Sequence, residues 1–237
     1  MINLKCRTEY SFRKAFGKVS DVIACIDEDT LGICDTGTWG HTVFAKACKD
    51  AGKRPIFGVE IPFVIDTSFQ KKQEVNDMSF LAKNNSGLEE IYGLVSKSAK
   101  QNNRLAYEDL FDISDDVIIL SGSKPEWGLL PAMKKETLLV EVNPVSFKRD
   151  TKFHMVATSD NYFPKEENRH AQELVVGSNK HRRQAPNYSN RCITDMYLIS
   201  FSRVTFSLTH CRTLSPIFFT RYSLSVSPLT VHVGMHL

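Results

Sequence analysis

Short strand-like runs alternate with helix-period segments through residues 1–200, and this alternation limits the possible folds more than any other feature. "INLKC" alternates apolar and polar residues. "VSDVIACIDEDT" has helical spacing, with Ser20 or Asp21 as its cap, and "LGIC" is a short buried strand. Between Thr42 and Ala51, the residues Val43, Phe44, Ala47, Cys48 and Ala51 share one helical face, and Gly52 follows as a C-terminal stop. "PIFGVEIPFVI" and "MSFLA" are strands. "SGLEEIYGLVSKSAK" opens on a Ser86–Glu89 capping box and keeps Leu88, Ile91, Leu94, Val95 and Ala99 at helical spacing. "VIIL" (117–120), "LLVEV" (138–142) and "FHMVAT" (153–158) are further strands, and Pro164 opens a helix that ends at Gly177. Such a pattern implies a mainly parallel sheet covered by helices, either open or closed into a barrel. In both arrangements chemistry collects at the C-terminal ends of the strands. Lys5, Arg7, Asp35, Glu60, Ser123 and Asp160 stand there.

A chain of 237 residues is long enough for one α/β domain with an appendage. It has no run of 18 apolar residues, so no membrane span is expected. The opening Met-Ile-Asn-Leu-Lys reads as a strand rather than a signal peptide, and a cytoplasmic location is expected, in a bacterium or in the host if the source is a phage. The six cysteines form no C-x-x-C pair, and Cys25, Cys34 and Cys48 fall at apolar positions, as reduced core thiols do.

The last 37 residues differ from the rest. Eleven are Ser or Thr, the only charged side chains of the Lys, Arg, Asp and Glu types are Arg203, Arg212 and Arg221, and no amphipathic period is sustained. This composition suggests a disordered tail: a solvent-averse extension, a domain stub or, as the favoured reading, translation past a genetic lesion or out of frame. The first 200 residues hold 27 basic and 27 acidic side chains, so no overall positive field draws nucleic acid to them. The basic run "SNKHRRQ" (178–184) is a local exception that reads as a solvated linker.

Five ordered blocks, "LKCRTEYS", "GICDTGTWGHTVFAKACKDAGKRPIFGVEI", "MSFLAKNNSGLEEIYGLVS", "VIILSGS" and "MVATSDNYF", resemble the PHP (polymerase and histidinol phosphatase) domain. In particular they resemble the copy that opens bacterial and phage DNA polymerase III alpha subunits. "RHAQELVVGSN" and "NRCITDMYLIS" resemble the segment that follows it. The resemblance implies a distorted (βα)7 barrel over residues 1–177, the start of a segment leading toward the polymerase body over 178–200, and an aberrant tail over 201–237. The polymerase catalytic region would lie outside this chain.

The resemblance also implies a site of histidines, acids and sometimes a cysteine that holds up to three metals. Those positions fall here on Lys5 and Arg7, near Lys14, on Thr36 after Asp35, on Asp77, on Ser123 and on Tyr162, while Glu60 and Asp160 retain the family's acids. Ammonium and guanidinium groups donate hydrogen bonds and carry positive charge; they have no lone pair for a metal. Lys5 and Arg7 are therefore expected to replace metal charge with ion pairs to Glu60 and Asp160, and no catalytic residue, bound metal or other cofactor is expected. Asp35-Thr36-Gly37 reads equally as a turn or as part of the site. His41 is expected to be a solvated residue at a helix start, His154 a satisfied sheet residue, and His170 part of a solvated helix face.

Two functions from different classes follow. The first is a non-catalytic scaffold or docking module, with the polymerase body or a proofreading exonuclease subunit as partner and DNA only an indirect one. The second is a metal-dependent phosphoesterase or 3′–5′ exonuclease, using Mg, Mn or Zn on the residual acids Glu60, Asp160, Asp77 and Asp35. A third possibility is a fragment that does not fold stably.

Overall fold

The computed structural model describes residues 3–68, 73–126, 128–130, 136–142, 153–158, 161–177 and 191–192. Asp160, the basic run 178–184 and the tail 201–237 lie outside the described residues.

The strands are β1 (Asn3–Cys6), β2 (Thr30–Asp35), β3 (Arg54–Val64), β4 (Asn76–Ala82), β5 (Leu105–Ala106), β6 (Val117–Leu120), β7 (Leu138–Val142) and β8 (His154–Ala157). They form one sheet in the order β1-β2-β3-β4-β6-β7-β8, with β5 paired on the end of β3. A separate two-stranded sheet joins β9 (Asn161–Phe163) to β10 (Arg191–Cys192). The helices are α1 (Val19–Ala24), α2 (His41–Asp50), α3 (Asn85–Lys100) and α4 (Arg169–Gly177), the last entered through a 3-10 turn at Glu166–Asn168 rather than directly from Pro164. No helix among the described residues is long and apolar enough to cross a membrane.

The sheet is mixed, which corrects the mainly parallel expectation in one place. β4 runs antiparallel to both β3 and β6, whereas β1–β2, β2–β3, β6–β7 and β7–β8 are parallel. Its reversal carries the start of β4 to the same end of the sheet as the finish of β3, and Pro62 pairs with Asp77. Asp77 thereby reaches the mouth from the first turn of a strand.

Two helix-covered cores pack on one face of the sheet. α3 places Ile91 and Leu94 against Val59, Ile61, Phe63, Met78 and Phe80. α1 and α2 place Val19, Val22, Ile23, Phe44 and Cys48 against Cys6, Leu31 and Ile33. The opposite face curls inward as a half-barrel around a smaller interior cluster. Cys34, Leu81 and Leu120 form its centre, with Leu4, Ile56, Ile118, Leu139 and Val156 against them. Truncating a buried side chain such as Phe44 in this packing costs about 3–5 kcal/mol.

Local chemistry explains where several elements begin and end. α1 has Lys18 at its N-cap and no side-chain cap, so neither Ser20 nor Asp21 performs that role. It stops at Ala24, well short of the expected segment, and Lys53 Nζ holds the following loop through the carbonyls of Ile26 and Glu28 at 2.5 and 2.9 Å. α3 is capped by Asn84, whose side chain accepts from the Gly87 N–H at 3.0 Å. The expected Ser86–Glu89 box gives way because Asn is as good a cap and sits two residues earlier. Cys6, Cys34 and Cys48 are buried and Cys25 is half-buried, all as free thiols. Burial pushes the Cys34 thiol up to about 12 and Cys48 to about 11.

Candidate functional site

A bulge in β1 sets the first charge at the mouth. β1 advances three positions, from Asn3 to Cys6, while β2 advances only two, from Leu31 to Ile33. The extra residue breaks strict alternation. Leu4 packs in the barrel interior, Cys6 returns to the helix-covered face, and Lys5 is buried with its ammonium in the mouth.

Glu60 is the hub. It comes from β3, opposite Ser79 of β4, and is almost completely buried. Arg7 Nη2 pairs with its Oε2 and Lys14 Nζ with its Oε1, and Lys5 Nζ lies 3.8 Å from Oε2. Burial by itself would push the Glu60 carboxyl up. The positive charges of Arg7, Lys14 and Lys5 outweigh it and hold the carboxyl well below the usual range. Lys14 shows the reciprocal effect: burial pulls it down, and the Glu60 carboxylate more than restores it, leaving the ammonium above its ordinary value. Lys14 Nζ also reaches Asp77 Oδ2 at 2.6 Å, at the more exposed edge of the network.

Lys5 has a second described carboxylate partner besides Glu60. Its Nζ lies 3.1 and 3.2 Å from the two oxygens of Glu141 on β7. Glu141 was not among the expected partners of Lys5. Thr158 Oγ1 donates to Glu141 Oε1 at 2.8 Å and the Gly122 N–H donates to Oε2 at 2.7 Å. A lone acid inside the apolar run "LLVEV" was the available signal, since charge in a buried strand requires a partner.

Asp35 ends β2, is fully buried, and serves as an anchor for the loop after β1. It accepts from the Thr8 N–H at 2.7 Å, Thr8 Oγ1 at 2.6 Å and Ser11 Oγ at 2.6 Å. Burial raises its carboxyl despite these bonds. Thr36 is half-buried, and its N–H donates to Ser11 Oγ at 3.3 Å. Ser123 is half-buried in the loop after β6, where the neighbouring Gly122 N–H makes the contact to Glu141. Tyr162 is half-buried with its ring under Arg7, and Arg7 Nη1 donates to the Asn161 carbonyl at 3.4 Å.

Three histidines, His41, His154 and His170, fall among the described residues. His41 is buried rather than solvated: Nε2 lies 3.0 Å from the Gly58 carbonyl and Nδ1 lies 3.4 Å from the Tyr92 hydroxyl. Its ring also packs against Phe57 and Tyr92, tertiary neighbours that its position at a helix start did not reveal. His154 begins β8 on an exposed position, and His170 lies exposed on α4.

The family model for the PHP domain matches residues 3–143. The chain belongs to the PHP domain family. Among curated proteins, it is 25% identical over 220 residues to the DNA polymerase III subunit alpha of Borreliella burgdorferi, covering 74% of this chain and 19% of that protein. It is 32% identical over 133 residues to the DNA polymerase III subunit alpha of Haemophilus influenzae, covering 51% of this chain and 11% of that protein. The chain therefore spans at most about a fifth of the length of these relatives.

Among the described residues of this PHP domain, the donor set does not fit a polynuclear metal centre. Lys5 and Arg7 stand where the resemblance implies a pair of imidazoles and Lys14 near a further ligand position, and their charged groups engage both oxygens of Glu60. Glu141 uses both oxygens on Lys5, Thr158 and Gly122, and Asp35 uses both on Thr8 and Ser11. Among the described residues, no group of three or more His, Cys, Asp or Glu side chains is arranged to hold an ion. A divalent ion placed at Glu60 would displace an ion pair and face two further cations at close range.

Proposed function

We propose that this PHP domain is a non-catalytic scaffold and docking module of a DNA polymerase III alpha-type subunit. The observation that carries the reading is the saturation of Glu60: one buried carboxylate with Arg7 on one oxygen and Lys14 on the other. A phosphoesterase or 3′–5′ exonuclease built on Glu60, Asp77 and Asp35 would need those oxygens for its metal. A docking role draws support from the rim. Phe12 and Trp39 stand 64% and 63% exposed with ring centroids 5.6 Å apart, on the loops that follow β1 and β2. Exposed aromatic residues are common anchors of protein interfaces. The remainder of a polymerase III alpha chain is the favoured partner, because four-fifths or more of each curated relative lies outside the matched segment; a proofreading exonuclease subunit is the other.

Metal analysis and activity assays test the non-catalytic reading. Protein dialysed against Mn²⁺ or Zn²⁺ is expected to retain far less than one ion per chain, to release no phosphate from phosphoesters and to leave single-stranded DNA intact. Stoichiometric metal together with hydrolysis that Glu60→Gln abolishes would overturn the reading. For docking, co-elution with a separately produced polymerase body is expected and should weaken in Phe12→Ala/Trp39→Ala.

A further inference from the structure

Backbone hydrogen bonds leave the described sheet open. β1 stands at one end of its strand order, and β7 and β8 stand at the other. In a flat sheet with strands about 4.8 Å apart, β1 and β7 would be roughly 24 Å from each other. Lys5 on β1 nevertheless meets Glu141 on β7 at 3.1 Å, across 136 residues of sequence. Arg7, just beyond β1, reaches Glu60 on β3 and the Asn161 carbonyl on β9 at 3.4 Å. The Phe16 N–H adds a bond to the Tyr162 carbonyl at 2.8 Å. Among the described residues, β1 and β7 thus meet through side chains, with no strand pairing between them.

We infer that this chain of buried ion pairs is the clasp that closes the open side of the half-barrel, with Lys5–Glu141 as its central link, and that it holds without any divalent cation. Only the second clause rests on the non-catalytic reading. Among the described residues, Lys5, Arg7 and Lys14 supply three positive charges to ion pairs with the carboxylates Glu60, Glu141 and Asp77. Lys5 bridges Glu60 and Glu141 at once, so it couples the middle of the sheet to its far end. Thr158 and Gly122 complete the Glu141 oxygens and fix the carboxylate where Lys5 must meet it. Removing one member strands a buried charge. Replacing both with apolar groups removes the penalty together with the attraction.

Thermal unfolding and hydrogen exchange of the full chain test the clasp. Glu141→Gln and Lys5→Met are each expected to lower Tm by roughly 5–15 °C and to speed amide exchange in β1 and β7. Lys5→Met/Glu141→Leu is expected to recover much of that loss. Wild-type Tm is expected to be the same in excess EDTA and in MnCl₂. If Glu141→Gln fails to fold, Glu141→Asp, which keeps the charge but withdraws it from Lys5, should show an intermediate loss. Single variants that leave both Tm and β1 exchange unchanged would sink the clasp even if the protein proved metal-free and inactive. A wild-type Tm that falls in EDTA and returns with Mn²⁺ would sink its metal independence.

Discussion

Arg7 lays its guanidinium over the ring of Tyr162, 4.3 Å from the ring centroid, while its Nη2 pairs with Glu60. The contact uses two properties that lysine lacks, a planar face and a fork of donors. A charge-conserving exchange at this position is therefore not conservative. Arg7→Lys should lose about 1–3 kcal/mol by the loss of the stacked, charge-assisted contacts. Arg7→Ala should lose more, about 3–5 kcal/mol, because it leaves Glu60 short of its first partner. Urea denaturation at neutral pH reads both, and equal stabilities for wild type and Arg7→Lys would contradict the assigned role.

Acid should weaken the domain through Glu60. Its folded-state carboxyl is held well below the ordinary range, with burial opposing and Arg7, Lys14 and Lys5 prevailing. The stability gained from its ionised form is therefore complete above about pH 4.3, the unfolded value. It is lost as pH falls from there toward the lower folded value. Glu60→Gln should be less stable near neutrality and should show a flatter decline below about pH 4.3. Denaturant titrations from neutral to acid pH measure the slope; identical acid slopes would remove Glu60 as the cause.

His41 should be neutral at physiological pH, with its proton on Nε2. The Gly58 carbonyl 3.0 Å away can only accept, so Nε2 must donate. Burial lowers the pKa of the ring, partly opposed by this bond. The stability associated with neutral His41 is present above about pH 6.5 and lost as pH falls through the lowered folded value. Nitrogen-15 NMR should show the Nε2–H tautomer and a midpoint below that of a free histidine.

Gly122→Ala should disrupt the mouth from outside the charged residues. Gly122 has φ +75°, and a Cβ there would lie 2.4 Å from both Asn76 Oδ1 and the Asp77 carbonyl. The same residue donates its N–H to Glu141. A loss of roughly 1–3 kcal/mol is expected from backbone strain alone. A variant with wild-type stability and unchanged exchange in β7 would show that this loop does not hold the carboxylate.

Much of the fold was legible because buried strands carry their own pattern. "VIIL" and "LLVEV" coincide with β6 and β7, and of the expected α2 face Phe44 and Cys48 are buried and Ala47 half-buried, whereas Val43 and Ala51 are exposed. The direction of β4 was not legible, since alternation reads the same from either end of a strand. Lys5, Arg7 and Glu60 were legible from their place at the strand ends, Lys14 only through the resemblance, and simple charge chemistry pointed to ion pairs of Lys5 and Arg7 with Glu60. Glu141 was missed because no motif flags it; only the curl of the sheet brings it to Lys5. His41 was misjudged for a similar reason, as Phe57 and Tyr92 bury it from distant parts of the chain.

The irregular step in β1 gives the amino-terminal strand an unusual sensitivity to length. Deleting either Leu4 or Lys5 would restore a regular pleat while Asn3 and Cys6 kept their partners Leu31 and Ile33. The strand would then supply either the aliphatic side chain that fills the interior or the ammonium that meets Glu141, but not both. One surplus position thus lets four residues serve greasy packing and electrical balance together.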